Sequence, residues 1–200
     1  VVEKNQDIRG IPSIIFKPSN GDGLIPTIIH YHGWSSNKEK QRMRAYILAS
    51  LGYQVVLPDA IYHGERSPLE NYDTENAISY FWDTVFQNLD ESGSFIDELI
   101  SKYKADPARI GVMGHSMGGI TGAGIFVHEP RIKALAVLNG TGAWENFNEI
   151  LKTSLESIRE LGAMEEVEER IRKLDPINNL DKIEDRPMIL LHGVEDVVVP

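Results

Sequence analysis

The most constraining feature of the sequence is Gly114-His115-Ser116-Met117-Gly118, in which a serine stands between two glycines. An apolar run over residues 109–113 precedes it, and small and apolar residues at helical density follow it over residues 120–127. This order predicts a strand, a tight turn with Ser116 at its apex, and a helix. Glycine is needed on both sides because the backbone of such a turn comes too close to its neighbours for side chains.

A serine in this position is suited to nucleophilic catalysis. The following helix would point its first N–H groups at the place where an oxyanion forms. The residue after the nucleophile, Met117, supplies one of the required donors through its backbone N–H. The alternative interpretation is a glycine-rich turn in which Ser116 has no chemical role.

The rest of the chain alternates apolar runs with segments of helical periodicity, which predicts a mainly parallel sheet with helices on both faces. The apolar character of three runs indicates burial on both faces, so we expect the 109–113 strand at the centre, flanked by strands 26–31 and 132–138. Ligands of such sheets bind beyond the carboxyl ends of the strands. The residues expected to converge there are Trp34, His63, Ser116 and Asp196.

Two helices between the strands can be delimited from their sequences. Ser36 and Glu39 form a capping box, which predicts a helix that starts near Asn37. Its expected core-facing residues are Met43, Ile47, Leu48 and Leu51. A second helical stretch covers residues 74–104, with a break expected at Gly93.

The composition is that of a soluble globular protein with one domain. The chain has 200 residues, of which 42% are hydrophobic and 25% charged. A formal net charge of −10 argues against nucleic acid or an anionic membrane as a partner. There is no cysteine, no secretory signal and no apolar run near the ~20 residues of a membrane span, so we expect a cytoplasmic location. No metal-binding spacing such as H-E-x-x-H occurs, and we expect no cofactor.

Four stretches together resemble one family. They are Tyr31-His32-Gly33-Trp34, Pro58-Asp59 through His63-Gly64-Glu65-Arg66, the serine turn, and residues 192–200 with the pattern H-G-x-x-D-x-x-V-P. The chain resembles the α/β-hydrolase fold, and within it the dienelactone-hydrolase and prolyl-oligopeptidase-like bacterial esterases. This resemblance implies a doubly wound, mainly parallel sheet of the α/β-hydrolase type. It also implies a serine hydrolase that cleaves small-molecule esters through an acyl-enzyme, without a cofactor.

The resemblance also assigns roles to individual residues. Ser116 would be the nucleophile and Asp196 the acid of a catalytic triad, with Glu195 as the alternative acid. The backbone N–H groups of Trp34 and Met117 would form the oxyanion hole. Two further candidates follow from position in the chain rather than from the resemblance. His63, in the loop after residue 58, and His115, in the serine turn, are expected to line the substrate pocket, and the alternative for His115 is that it points away from Ser116.

The triad histidine is the one departure from this pattern. The fold places its residues in the order serine, acid, histidine, yet no histidine follows Asp196. We therefore expect that the chain is truncated after the acid loop and that the base lies beyond Pro200. His63 is the alternative base. The remaining histidines are expected in the core (His30), beside strand ends (His32, His192) or at the far end of the helix after the serine (His128).

Residues 144–174 differ from the rest of the chain because they are strongly charged and amphipathic. They are either a solvated helix pair or a helical lid inserted over the site, within a single domain that spans residues 1–200. Two functions compete with the esterase: a peptidase of the prolyl-oligopeptidase type, and a non-catalytic small-molecule binding protein with the same fold.

Overall fold

The described part of the chain forms a central sheet of seven strands. It is seen in a computed structural model of the chain, which describes residues 1–19, 23–153 and 164–199. The strands are β1 (Val2–Ile8), β2 (Ile11–Lys17), β3 (Ile25–Tyr31), β4 (Gln54–Pro58), β5 (Ala105–His115), β6 (Ile132–Leu138) and β7 (Met188–Leu191). Their order in the sheet is β1-β2-β4-β3-β5-β6-β7.

The predicted central strand is confirmed. β5 lies between β3 and β6, and β4, β3, β5, β6 and β7 run parallel, whereas β1 and β2 are antiparallel to their neighbours. Tyr31 is paired with Gly114, and Gly114 with Val137. The carboxyl ends of the three central strands therefore meet at one edge of the sheet, and the loops that follow them can share a site.

Strand β1 was not predicted from the sequence. It pairs with β2 through a two-residue turn at Arg9 and Gly10, whose φ angles are 57° and 83°. Two successive positive φ angles are the signature of a type I′ hairpin turn, whose twist matches that of the flanking strands. The exposed, mostly polar β1 gives little apolar signal of its own, so the turn residues were the only sequence indication of the hairpin.

The helices fill both faces of the sheet. They are α1 (Arg42–Ser50), α2 (Thr74–Tyr103), α3 (Met117–His128), α4 (Trp144–Thr153) and α5 (Met164–Leu174), with 3-10 segments at Lys38–Gln41 and Pro176–Ile183. Within the described ranges, no helix has the length and apolarity that crossing a bilayer requires.

The expected inner face of α1 is wrong at three of its four residues, and only Leu48 packs against the core as predicted. Ala45 and Ala49 are the buried residues of this helix, while Met43, Ile47 and Leu51 are 78%, 52% and 70% exposed. The two alanines lie one turn apart and let the helix axis approach the sheet closely, a packing that an apolarity pattern weighted toward large side chains does not detect. Its start is also shifted, because Asn37 rather than Ser36 caps the preceding 3-10 turn by accepting the N–H of Lys40.

The expected break at Gly93 is wrong as well, since α2 is continuous from Thr74 to Tyr103. A glycine inside a helix costs only about 1 kcal/mol relative to alanine. This is less than the burial of Phe95, Ile96 and Leu99 beyond it contributes, at roughly 1.5–3 kcal/mol for each large apolar side chain.

Two apolar clusters lie on the α2–α3 face of the sheet. The first joins the strands to α2 and α3 around Ile29, Val112 and Phe126. The second, which we call the site-side cluster, lies over the start of α3 and contains Ala60, Phe81, Trp82, Val85, Phe86, Met117, Ile120, Trp144, Phe147, Ile171 and Val199. A third cluster on the opposite face packs α1 against β2 and β4.

The side chain of Trp144 fixes α4 to the body of the protein. It is fully buried, and its ring occupies the space beside Gly124 of α3, where an added Cβ would lie 2.5 Å from two ring carbons. A second glycine of α3, Gly122, has ordinary contact distances of 3.5 Å or more at the same test position. The two glycines therefore differ in what surrounds them, although both lie in the same buried helix.

We predict that Gly124→Ala lowers the free energy of unfolding by about 1–3 kcal/mol because it overpacks the Trp144 ring. Gly122→Ala is the matched control, and we expect it to be neutral or to raise the stability by up to about 1 kcal/mol through helix propensity. Urea unfolding of both variants checks this. Equal effects of the two substitutions would contradict the packing of Trp144 against α3.

Candidate active site

Ser116 lies in a strained backbone conformation at the end of β5. Its φ is 54° and its ψ is −124°, and α3 begins with the next residue. A non-glycine residue with such angles costs on the order of 1–3 kcal/mol and persists only where its surroundings hold it. The predicted strand, turn and helix around this serine are confirmed.

The two glycines of the turn are required by close backbone contacts. A Cβ built on Gly114 would lie 2.0 Å from the carbonyl oxygen of Gly118, and one on Gly118 would lie 2.1 Å from that of Tyr31. The same test on Gly33 brings a Cβ to 3.3 Å from the Cβ of Ser116. The loop after β3 therefore passes directly beside the serine.

The first turn of α3 directs N–H groups toward this position. Gly119 and Ile120 donate their N–H groups to the carbonyl of Ser116 at 2.8 and 3.0 Å. The N–H of Met117 belongs to the first turn, where a helix leaves its donors without intrahelical acceptors. Together with the positive end of the helix dipole, it can stabilise an anion next to Ser116.

The loop after β3 comprises residues 32–37, and we name it the oxyanion loop after the role that the resemblance implies for Trp34. The imidazole of His32 links the start of this loop to the segment after β4: Nδ1 donates to the carbonyl of Gly33 at 2.9 Å, and Nε2 accepts the N–H of Ala60 at 3.1 Å. Burial lowers the pKa of His32 to about 4, so the ring is neutral near pH 7. The indole N–H of Trp34 donates to the carbonyl of Tyr72 at 3.2 Å.

Asp196 is held by several donors in the loop after β7. Its Oδ2 accepts the side-chain amide of Asn139 at 2.8 Å, and its Oδ1 accepts the N–H groups of Val198 and Val199 at 2.9 and 3.1 Å. These bonds, with that from Asn139 the most important, lower the pKa of Asp196 from 3.8 to about 2. The carboxylate is therefore ionised at neutral pH.

Two neighbouring residues at the end of β6 connect the serine to this aspartate. The carbonyl of Leu138 accepts the N–H of Ser116 at 2.9 Å, and the next residue, Asn139, holds Asp196. Asn139 has a positive φ of 48°, which turns the chain sharply at this point. The structure thus brings Ser116, Met117, the oxyanion loop and Asp196 to the same edge of the sheet.

The histidines occupy different environments. His63 is fully buried, with Nδ1 donating to the carbonyl of Ile61 at 2.9 Å, and its ring contacts those of Trp34 and Tyr72 at centroid distances of 4.9 and 4.7 Å. Burial lowers its pKa. His63 thus lies beneath Trp34, away from the surface.

His115 is half-buried beside Gly33, and burial followed by the charge of Arg44 lowers its pKa. His30 is in the core as expected, and burial lowers its pKa to about 3. His192 braces the loop after β7, because its Nε2 donates to the carbonyl of Val199 at 2.5 Å while lying 3.6 Å from Asp196. Over residues 1–19, 23–153 and 164–199, no group of three His, Asp or Glu side chains is placed to hold a metal ion.

Two features of this site were not found from the sequence. Asn139 follows a buried strand directly and precedes a glycine, so a polar turn was visible, but its partner is 57 residues away. The second feature is the burial of Asp59, Ala60 and His63 after β4, in a stretch that is otherwise mostly polar. The sequence signal available for this burial was an Asp directly after a strand end, followed later by a His-Gly pair.

The mostly parallel sheet, with a serine at a strained turn between β5 and α3, defines the α/β-hydrolase fold. Comparison with solved structures agrees: TT1662 from Thermus thermophilus superposes with a TM-score of 0.76 at 18% identity, over 100% of this chain and 78% of that one. The chain belongs to the prolyl oligopeptidase family, which matches residues 39–200.

Two relatives match almost the whole chain. The protein named "Putative esterase YitV" from Bacillus subtilis (strain 168) is 34% identical over 206 residues, which cover 98% of this chain and 79% of the relative. The protein named "Esterase YjfP" from Escherichia coli (strain K12) is 27% identical over 200 residues, with the same coverage of 98% and 79%. The chain is thus a serine-hydrolase-type member of this family.

We predict that Gly118→Ala lowers the free energy of unfolding by about 3 kcal/mol or more. This is at or above the upper end of the usual cost of overpacking, because the added Cβ would meet backbone atoms of Tyr31 and His32. Gly111→Ala in the neighbouring strand β5 is the control, since its nearest contact at the test position is 3.4 Å. Chemical denaturation measures both. A Gly118→Ala variant as stable as Gly111→Ala would contradict the close approach of α3 to β3.

We predict that Asn139→Ala raises the pKa of Asp196 from about 2 toward 3.8, because the most important hydrogen bond to the carboxylate is lost. Since the folded-state pKa lies below the ordinary value, the stabilisation is present above about pH 4 and is lost as the pH falls toward 2. Carbon-detected NMR titration of the Asp196 carboxyl measures the change. Asn178→Ala, which removes an exposed amide elsewhere, should leave this pKa unchanged, and an unshifted Asn139→Ala variant would refute the assignment.

Proposed function

We propose that the protein is a carboxylesterase-type serine hydrolase with Ser116 as its nucleophile. The observation that supports this most strongly is the position of Ser116, at a positive φ between the first turn of α3 and the backbone of Gly33. Such a turn exposes a hydroxyl and places helix N–H groups beside it. Two relatives that cover nearly the whole chain carry esterase names, which favours an ester as the bond that is cleaved.

In the proposed reaction, the hydroxyl oxygen of Ser116 attacks the ester carbonyl and its proton passes to a base. The tetrahedral oxyanion accepts hydrogen bonds from the backbone N–H groups of Met117 and Trp34. Each donor of this kind is worth about 2.7–4 kcal/mol in the transition state. The alcohol leaves with the proton, and water then releases the acid from the acyl-serine.

Asp196 is the proposed acid of the triad. Its low pKa keeps it ionised, so it can orient an imidazole and stabilise the imidazolium that forms. His192 is a poor candidate for that imidazole, since its Nε2 is bonded to the carbonyl of Val199. His63 is equally poor because it is fully buried and bonded to its own loop. A base located C-terminal to Asp196 stays a prediction.

The substrate pocket is proposed to lie between the oxyanion loop and α4. Trp34 contacts Phe81 at 5.9 Å between ring centroids, and Phe81 contacts Phe147 of α4 at 5.5 Å. These rings offer an apolar wall for an acyl or alcohol group, with His115 at the other side of Gly33. His63 would support this wall from behind.

The role proposed for residues 144–174 is to border this pocket as a lid. In support, Trp144 and Phe147 of α4 and Ile171 of α5 are buried in the site-side cluster, and α5 is linked to α2 by the pair Arg170–Asp90 at 2.7 Å. Residues 154–163 of this segment lie outside the described residues. The alternative is that residues 144–174 are a solvated helix pair, which would account for the charged outer faces of these helices.

We predict that Ser116→Ala lowers kcat/KM for p-nitrophenyl acetate by at least about 10³-fold in the intact protein, because the nucleophile is lost. Ser101→Ala, an exposed serine of α2, is the matched control and should keep full activity. Comparison with the corresponding p-nitroanilide tests the peptidase alternative, which requires amide turnover that also depends on Ser116. Ester turnover that survives in Ser116→Ala would end the assignment, and a wild type without turnover would favour the binding protein.

A further inference from the structure

We propose that the buried ion pair of Lys38 and Asp59 is a positioning device that sets the oxyanion loop against Ser116. This inference rests on the proposed function and goes beyond it, because it assigns a role to the Asp59–Arg66 stretch that the triad leaves unused. The two residues touch no reacting atom. They act through the backbone of Gly33 and Trp34.

The carboxylate of Asp59 joins the two loops directly. It is fully buried, and its Oδ1 accepts the backbone N–H of Lys38 at 2.9 Å while its Oδ2 accepts the Lys38 ammonium at 2.5 Å and the N–H of Glu65 at 3.0 Å. Lys38 follows the oxyanion loop immediately and also binds Glu65 at 2.7 Å. The C-terminal end of the oxyanion loop is therefore fixed by both the main chain and the side chain of one residue.

The other end of the loop is fixed by the residue after Asp59. The N–H of Ala60 donates to His32 Nε2 at 3.1 Å, and the same imidazole donates to the carbonyl of Gly33 at 2.9 Å. Asp59 itself is anchored to β2, since its N–H donates to the carbonyl of Pro12 at 2.9 Å. Residues 59 and 60 thus hold the oxyanion loop at its two ends and are themselves held by the sheet.

The middle of the loop needs such support because it is strained. Ser35 has a φ of 59°, in the left-handed region, and the turn is closed by the N–H of Ser36 donating to the carbonyl of Gly33 at 3.2 Å. A non-glycine residue keeps this conformation only when its surroundings determine it. Loss of an anchor would let the turn relax, and the Trp34 N–H would then move relative to Ser116.

The backbone of Gly64 packs directly against the carboxylate of Asp59, which favours a fixed geometry of the carboxylate. Gly64 has a φ of 57°, and a Cβ on it would lie 2.2–2.3 Å from the carboxylate of Asp59. Hydrogen bonds and attraction from Asp59 and Glu65 outweigh the effect of burial and raise the pKa of Lys38, so the lysine stays charged. Buried ion pairs contribute little net stability compared with apolar residues of similar size. A role in placing the loop explains why charges are used here.

The test uses the intact protein with three variants: Lys38→Met, Asp59→Asn and the double variant. We expect each to lower kcat for p-nitrophenyl acetate by roughly 10- to 100-fold, because a displacement near 1 Å weakens an oxyanion donor. KM should change by less than about threefold, since ground-state binding does not use this donor. Affinity for n-butylboronic acid, which forms a tetrahedral anion on serine, should fall in parallel with kcat.

Controls separate positioning from stability. Arg131→Met removes a partly buried arginine that binds Glu129 and Asp97 far from the oxyanion loop, so it should lower the melting temperature and leave kcat unchanged. The double variant leaves no buried unpaired charge and should recover melting temperature but not kcat. If Lys38→Met does not fold, the kcat of the double variant tests the positioning role in its place.

The positioning role is wrong if kcat follows the melting temperature across all variants including Arg131→Met, or if the double variant recovers kcat. It is also wrong if KM rises while kcat and boronate affinity stay constant. The Ser116→Ala variant distinguishes failure of the positioning role from failure of the proposed function. When Ser116→Ala is inactive and the Lys38 variants keep wild-type kcat, only the positioning role is lost.

Discussion

The close approach of backbones around Ser116 is the constraint on which the rest of the structure depends. Gly118 of α3 lies against the carbonyls of Tyr31 and His32, and Gly114 lies against Gly118. This contact fixes α3 to β3 and β5 at once, so the serine, the helix N-terminus and the oxyanion loop have one relative geometry. It also requires the strained φ of 54° at Ser116, which the packing on either side must offset.

That packing comes from two sources of different character. Below the serine, α3 is buried along its whole length between the sheet and α2, with Phe126 and Ile120 in separate apolar clusters. Beside it, hydrogen bonds between polar groups hold the loops in place. The bonded pairs are His32 with Ala60, Asp59 with Lys38, and Asn139 with Asp196. The apolar part supplies most of the stability, while the hydrogen-bonded part determines where the backbone N–H groups of the loop and the Asp196 carboxylate point.

Much of the fold was predictable because its signals are local. The glycines around Ser116 and the apolar runs of β3, β5 and β6 are properties of short segments, and the central position of β5 follows from them. The errors have a physical cause. The inner face of α1 consists of Ala45 and Ala49, which carry little hydrophobic signal, and Gly93 is tolerated inside α2 because burial beyond it outweighs its cost. The partners of Asp59 and Asn139 are 21 and 57 residues away, so only tertiary structure reveals them.

The central claim is that the strained turn at Ser116 holds a reactive nucleophile. Reaction of the intact, folded protein with a fluorophosphonate, followed by mass-spectrometric mapping of the modified peptide, tests it most directly, because the reagent requires an activated hydroxyl and an oxyanion hole. We expect one adduct per chain, on Ser116, and no adduct when the protein is unfolded before the reaction. Modification of a different residue, or no modification of the folded protein, would contradict it.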